Sequence, residues 1–157
     1  MIGNTNYGLY AIASDSNTVT QSSLRGVITG AYMSTGSDYN VVSLSTMIGS
    51  TNYALYALAA DWNSVTQSYL WGAQRGANLD TCSDSNDISL STMIGSANFG
   101  FYAIGAASNN VTGSFMSGGQ RGAWLDTAAN FNTISLSTMI SNLASFSGLY
   151  FFQGSSN

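Results

Sequence analysis

Residues 43–49 read Ser-Leu-Ser-Thr-Met-Ile-Gly, and the string returns at residues 89–95 and, with Ser replacing the final Gly, at 135–141. Each return comes 46 positions later, and Met1-Ile2-Gly3 keeps the same phase. Self-similarity at such a fixed period is typical of a repeat architecture. The sequence therefore predicts a single repeat domain over residues 1–157, with copies at 1–46, 47–92 and 93–138 and a degenerate capping copy at 139–157.

Each 46-residue copy divides into four shorter segments. In the second copy these open at Tyr53, Val65, Ala77 and Ile88, and the next copy opens at Phe99, so the residue number advances by 12, 12, 11 and then 11. Asn or Gly stands one or two positions before each opening. Both residues tolerate the positive φ of a tight corner. The pattern thus predicts short strands separated by corners.

Three all-β architectures suit this spacing. In a β-solenoid each 11–12-residue segment is one rung, and about 13 rungs stacked about 4.8 Å apart would form a rod roughly 60 Å long. A β-trefoil-like fold would close three units around one axis, and cross-β structure would stack strands between chains. The aromatic segment occurs four times, at Tyr7, Tyr53, Phe99 and, in degenerate form, near Gly148. A closed threefold fold needs only three copies of this segment, so the fourth favours an open stack. A β-solenoid is therefore the predicted fold, and the β-trefoil-like fold is the alternative.

The composition excludes several classes of function. Charged residues make up 6% of the chain, its net charge is −4, and it contains no His, whereas charged residues are roughly a quarter of a typical domain. No basic cluster is present for nucleic acid, and no apolar run is long enough to insert into a membrane. Without His, Lys or Glu a nucleophilic triad lacks its base. We therefore expect no enzyme activity, no cofactor and no metal site.

The strand patterns suggest assembly of several chains. Residues 134–137 alternate apolar side chains with Ser, so one face of this strand is expected to be buried. Residues 53–58, Tyr-Ala-Leu-Tyr-Ala-Leu, are apolar on both faces. A strand of this kind favours burial on both sides. A homo-oligomer, foremost a trimer, is the expected state, and tolerated exposure of Ala and Tyr is the alternative.

The tryptophans are the foremost candidates for surface contact. Trp62, Trp71 and Trp124 lie at different phases of the repeat, and the equivalent residues in other copies include Ser, Arg and Asn. Positions that accept such changes are normally exposed. An exposed Trp among polar side chains can hold a glycan by stacking and hydrogen bonding. The alternatives are incidental exposure and contact between chains.

Two arginines share one sequence context. Arg75 and Arg121 both open the string Arg-Gly-Ala-x-Leu-Asp, which ends at Asp80 and Asp126. One interpretation is a carbohydrate-reading arginine. The other, which we favour, is a local surface ion pair worth about 0–1 kcal/mol.

Residues 102–110, Tyr-Ala-Ile-Gly-Ala-Ala-Ser-Asn-Asn, resemble rungs of trimeric autotransporter adhesin heads and of phage tail-fibre β-solenoids. The resemblance implies a structural or adhesive segment of an extracellular, cell-surface or virion fibre that contacts a receptor or glycan. Because Met1 already belongs to the repeat, we interpret the chain as a segment of a longer fibre protein. The alternative functions are a compact carbohydrate-binding lectin and a self-assembling, amyloid-like filament protein.

Overall fold

The computed structural model describes residues 6–153 and 157, so Met1-Ile2-Gly3 lies outside the described residues. Within them the regular structure is entirely β, and no helix long and apolar enough to cross a membrane occurs. The strands are β1 (Tyr7–Ile12), β2 (Thr18–Thr20), β3 (Ser23–Gly26), β4 (Thr29–Ser34), β5 (Val41–Ser43), β6 (Thr46–Gly49), β7 (Tyr53–Leu58), β8 (Ser64–Thr66), β9 (Tyr69–Gly72), β10 (Arg75–Asp80), β11 (Asp87–Ser89), β12 (Thr92–Gly95), β13 (Phe99–Ile104), β14 (Asn110–Thr112), β15 (Phe115–Gly118), β16 (Arg121–Asp126), β17 (Thr133–Ser135), β18 (Thr138–Ser141) and β19 (Leu149–Phe151).

The strands form three parallel sheets that enclose one core. The long strands pair in the order β1-β4-β7-β10-β13-β16-β19, which we name the long sheet. The three-residue strands pair as β17-β14-β11-β8-β5-β2, the short sheet, and the four-residue strands as β18-β15-β12-β9-β6-β3, the middle sheet. Three consecutive strands, one from each sheet, make one coil. The predicted β-solenoid is confirmed, and the closed threefold alternative is not formed.

The length of the rung differs from the expected one. Val19 pairs with Val42, and Val42 with Val65, so one coil advances the residue number by 23 in the short sheet. In the long sheet the advance alternates between 22, as from Tyr53 to Arg75, and 24, as from Arg75 to Phe99. The last step, from Ala123 to Leu149, is 26. Two of the 11–12-residue segments therefore make one coil, because the second segment lies on a different sheet. Six complete coils span about 25 Å between the first and sixth strands, not the roughly 60 Å expected.

The core explains why the sequence repeats every two coils. In the long sheet Leu55 lies between Ala31 and Ala77, and two positions along the strand, Ala57 lies between Met33 and Leu79. Large and small side chains thus alternate both along the strand and from coil to coil. All of these side chains are buried. Because packed interiors tolerate little volume error, this alternation fills the core where an identical stack would not.

Asparagines, all buried except Asn17, form a ladder at the corner between the long and short sheets. The Asn63 backbone N–H donates to the Asn86 Oδ1 at 2.8 Å, and the Asn86 N–H donates to the Asn109 Oδ1 at 2.8 Å. Positive φ was the reason to expect Asn here, but φ is positive at the preceding residue instead, as in Trp62 (57°). Asn is therefore needed for its amide, which bridges coils and satisfies buried backbone groups. The ladder residues are Asn17, Asn40, Asn63, Asn86, Asn109 and Asn132.

Serines form a second ladder at the corner between the short and middle sheets. The Ser68 N–H donates to the Ser91 Oγ at 3.1 Å, and the Ser68 Oγ donates to the Thr66 carbonyl at 2.8 Å. The residue before each ladder serine again has positive φ, as in Leu90 (49°). Both corners thus consist of an exposed tip followed by a buried ladder residue.

Glycines mark the places where two sheets approach each other. Gly76, expected at a corner, lies inside β10, where a Cβ would come within 2.6 Å of the Ile94 nitrogen. At the end of β9, a Cβ on Gly72 would lie 1.9 Å from the Arg75 carbonyl oxygen. Ser141 takes the same register position in β18, where the following connection to β19 spans residues 142–148 and is longer than the two- or three-residue connections of the other coils. The longer connection removes the close approach that demands glycine.

Candidate functional site

The tips of the asparagine corner carry large aromatic side chains. Tyr39, Trp62 and Phe131 have φ of 56°, 57° and 57°, and they are 58%, 56% and 72% exposed. The other three tips are Ser16, Ser85 and Ser108. A bulky residue at positive φ is unusual and costs about 1–2 kcal/mol relative to an unstrained conformation. Neither the backbone nor burial favours aromatic rings at these three tips.

Two of these rings form a parallel, stacked pair. The ring centroids of Tyr39 and Trp62 are 6.3 Å apart, and the ring planes differ by 7°. The rings lie on adjacent coils, which the hydrogen bond from the Tyr39 N–H to the Asp61 carbonyl joins at 3.2 Å. The pair therefore holds two exposed, parallel rings at a separation set by the coil spacing. We name Tyr39 and Trp62 the corner platform.

A column of carboxylates borders the corner platform. The Asp61 N–H donates to the Asp38 Oδ1 at 2.7 Å, and the Asp84 N–H donates to the Asp61 Oδ1 at 2.7 Å. Asp15 begins the column by accepting from the Asp38 N–H at 3.0 Å. Burial chiefly, with repulsion from Asp38 and Asp84, raises the pKa of Asp61, while the bond from the Asp84 N–H acts in the opposite direction. Each carboxylate keeps one oxygen outside these backbone bonds, which leaves acceptors beside the rings.

The outer face of the long sheet holds a second aromatic group. One register position carries aromatic residues in six of its seven strands, interrupted by Asn78 in β10. The members are Tyr10, Tyr32, Tyr56, Asn78, Tyr102, Trp124 and Tyr150. Neighbouring rings contact one another, with Tyr32 and Tyr56 centroids 5.2 Å apart and Tyr102 and Trp124 centroids 5.7 Å apart. The apolar second face expected for β7 is therefore packed largely against its own neighbours.

Arg75 belongs to this aromatic face. Its guanidinium carbon lies 4.1 Å from the Tyr102 ring centroid and 5.3 Å from that of Tyr53, and Nη1 donates to the Asn78 Oδ1 at 2.6 Å. Asp80, its expected ion-pair partner, instead accepts from the Tyr56 hydroxyl at 3.1 Å. Arg75 thus connects coils through cation–π contacts.

Arg121 and Trp124 repeat the arrangement two coils further on. The Arg121 guanidinium carbon lies 4.8 Å from the Trp124 centroid and 4.3 Å from that of Tyr150. Asp126 accepts from the Tyr102 hydroxyl at 2.7 Å. Burial, followed by the bonded carboxylate, raises the pKa of Tyr102 above its ordinary value. Trp124 is half-buried here and differs from the freely exposed side chain that its repeat phase suggested.

The structure separates the predicted contact residues into three places. Arg75, Arg121 and Trp124 lie on the long sheet, and Trp71 is half-buried on the outer face of the middle sheet. Only Trp62 is strongly exposed, at 56%. Sequence reasoning missed Tyr39 and the aspartate column. The 23-residue spacing of Asp15, Asp38, Asp61 and Asp84 was the available signal, but it matches neither the 46-residue period nor the 11–12-residue segment length.

The corner platform has the chemistry of a binding surface. Exposed aromatic rings beside acceptor oxygens can hold a sugar ring through its C–H face and its hydroxyls. Among the described residues, no group of three or more His, Cys, Asp or Glu side chains is arranged to hold a metal ion.

A family described as "Periplasmic copper-binding protein (NosD)" matches residues 1–157. No curated protein and no solved structure matches the chain.

Proposed function

Because the chain belongs to the NosD family, we propose that it is a non-catalytic binding solenoid that works outside the cytoplasm and contacts carbohydrate through the corner platform. The family description refers to the periplasm. The scaffold is rigid, since every coil is joined to the next by backbone pairing and two side-chain ladders. Its role is to hold the platform at fixed geometry.

The observation that carries this proposal is the strained, exposed aromatic pair. Ser16, Ser85 and Ser108 take the same backbone conformation with small side chains, so the fold does not require rings at Tyr39 and Trp62. Both residues expose more than half their surface. Rigid aromatic surface beside polar groups is a general feature of recognition sites. The exposed ring surface of the pair and the neighbouring column of aspartate acceptors support a carbohydrate partner.

Copper does not fit the side chains of this chain. Copper ions favour thiolate, thioether and imidazole ligands, but the sequence contains no His and a single Cys. Cys82 is exposed at a corner. Four methionines, Met33, Met47, Met93 and Met116, are at most 1% exposed and pack in the core. The proposed function therefore includes no copper chemistry.

The finer form of the proposal is an adhesive role. A stiff solenoid that presents a glycan-contacting corner would serve as a structural or adhesive segment of a cell-surface or virion fibre. The short rung-like string at residues 102–110 and the uncharged Ser, Thr and Asn surface support this form. A fold that adds coils along one axis without closing on itself suits a rod-like segment of a fibre.

Glycan-array binding of the purified chain tests the proposal. The variant Y39S/W62S installs the Ser that the chain itself uses at three equivalent tips, so its fold should persist. We expect the wild-type protein to bind a glycan class and the variant to lose roughly tenfold or more in affinity. The matched control, Phe131→Ser, removes an exposed ring outside the pair and should bind as the wild type does. Absence of glycan binding, or equal binding by Y39S/W62S, would contradict the proposal.

A further inference from the structure

Every second tip of the serine corner carries a leucine that is more than half exposed. Leu44, Leu90 and Leu136 are 51%, 62% and 92% exposed, and their φ angles are 50°, 49° and 49°. Each leucine thus combines a strained backbone with an apolar side chain in water. Gln21 and Gln67 take the same conformation at the alternate tips, with φ of 48°. Leucine at these tips is unfavourable in an isolated chain.

The adjoining outer face of the middle sheet is also apolar. Tyr69, Phe115 and Ile140 are 41%, 36% and 40% exposed. A second outward register position places Trp71 between Ile48 and Ile94. Together with the three leucine tips, these residues form what we name the apolar face. The smaller polar residues Thr46, Thr92, Thr138 and Ser117 alternate with these side chains in the same register positions. A surface that gathers this many exposed apolar side chains is a candidate interaction site.

Apart from Arg25 of β3, the charged side chains of the molecule lie away from the apolar face. The aspartates lie at the asparagine corner, on the long sheet and on the short sheet, at Asp15, Asp38, Asp61, Asp80, Asp84, Asp87 and Asp126. Two acidic copies of the chain would repel one another through those surfaces and can approach through the apolar face.

The spacing of the apolar face favours a second copy as the partner. The leucine tips recur every second coil, about 10 Å apart, with Gln21, Gln67 and Gly113 at the intervening tips. A rigid surface with this period is complementary to another surface of the same period. A second copy displaced by one coil would place its leucines over the glutamine and glycine tips.

We propose that copies of this chain associate through the apolar face. The face is about 25 Å long and about 15 Å wide, so two copies bury roughly 800 Å² in total. An interface of this size is at the weak end of specific protein contacts. The association is therefore expected to depend on concentration and to leave the corner platform exposed.

The chain offers a matched variant for the test. L44Q/L90Q/L136Q replaces each leucine with the residue found at Gln21 and Gln67 in the same backbone conformation. Sedimentation over a range of concentrations should give a wild-type mass that rises from 16.4 kDa toward two or three chains. The triple variant should remain at the mass of one chain, with unchanged circular dichroism and at least a tenfold weaker association constant.

Y39S/W62S is the reciprocal control, because it removes an equally exposed apolar pair from a different corner. It should associate as the wild type does. A wild-type protein that stays monomeric at the highest soluble concentration would overturn the proposal. A monomer that floats with lipid vesicles would also overturn it, because the apolar face would then bind lipid and not a second copy. Equal association by the triple variant would overturn it as well. If the triple variant is monomeric and still binds glycan, glycan binding by the corner platform is independent of association through the apolar face.

Discussion

Trp62 and Asn63 are neighbours in the chain and opposites in role. Asn63 is 4% exposed, and its backbone and side chain join the coils on either side. Trp62 is 56% exposed and holds a strained φ of 57°. Asn occupies the ladder position in all six coils, whereas the tip varies among Ser, Tyr, Trp and Phe. At this corner, the residue that repeats in every coil builds the fold, and the residue that changes from coil to coil gives individual coils their surface properties.

The inner surface should be most sensitive where sheets approach closely. Gly72→Ala would place a Cβ 1.9 Å from the Arg75 carbonyl oxygen, which belongs to the backbone and cannot rotate away. We expect a loss of at least about 4 kcal/mol in unfolding free energy or failure to fold. Gly36→Ala is the control, since its Cβ would meet nothing within 4 Å, and its positive φ should cost about 1 kcal/mol. Urea denaturation of both variants checks the difference.

The next effect concerns the alternation of large and small side chains. A77L/L79A conserves the side-chain volume of one coil but inserts the larger side chain between Leu55 and Phe101. We expect a loss of about 3 kcal/mol, because one column becomes overpacked and the other gains a void. Urea denaturation measures the loss. Wild-type stability would show that packing between coils is less important than volume within a coil.

The asparagine ladder should be sensitive to loss of a single amide. Asn86 accepts from the Asn63 N–H at 2.8 Å, and its Nδ2 donates to the Ala60 carbonyl at 3.1 Å. Asn86→Ala leaves these buried groups unpaired and should cost about 2 kcal/mol. Ser108→Ala, at an exposed tip, should change stability by less than about 0.5 kcal/mol. Equal effects of the two variants in chemical denaturation would erase the distinction between ladder and tip.

The smallest expected effect depends on pH. The folded-state pKa of Asp61 is raised, chiefly by burial, so its ionised form opposes folding at neutral pH. As pH falls through that raised value, the folded protein takes up the proton first and the penalty fades. Asp61→Asn keeps the acceptor for the Asp84 N–H and should raise Tm by roughly a few degrees at neutral pH. The gain should shrink in acid, and thermal melts from neutral to acidic pH measure it, with the exposed Asp15→Asn as control.

The fold was largely predictable from the sequence. The 46-residue period, the β-compatible segments and the Asn and Gly punctuation indicated the open β-solenoid. The number of segments in a coil was not predictable from spacing, because strands that follow one another closely in the chain can stack or can lie on different sheets. The alternation of Leu55 with Ala77 and of Ala57 with Leu79 was the available clue, since it shows that successive coils differ in volume.

The candidate site was predictable only in part. Trp62 stood out because its equivalents are Ser16 and Ser108. Its stacking partner Tyr39 did not, because the two lie in different 46-residue copies and meet only through the 23-residue coil offset. Arg75 was expected at a surface ion pair, but aromatic rings on adjacent coils surround it. Contacts between coils decide such roles, and spacing within one repeat does not show them.

The alternation of large and small core side chains between adjacent coils also limits how such a chain can change its length. Duplicating or deleting a whole 46-residue unit leaves every interior neighbour as it was, whereas a 23-residue event would set bulky residues against bulky residues at the junction. Lengthening by recombination is thus restricted to even steps. Natural variants of this architecture should accordingly differ from one another by whole 46-residue units of two coils each.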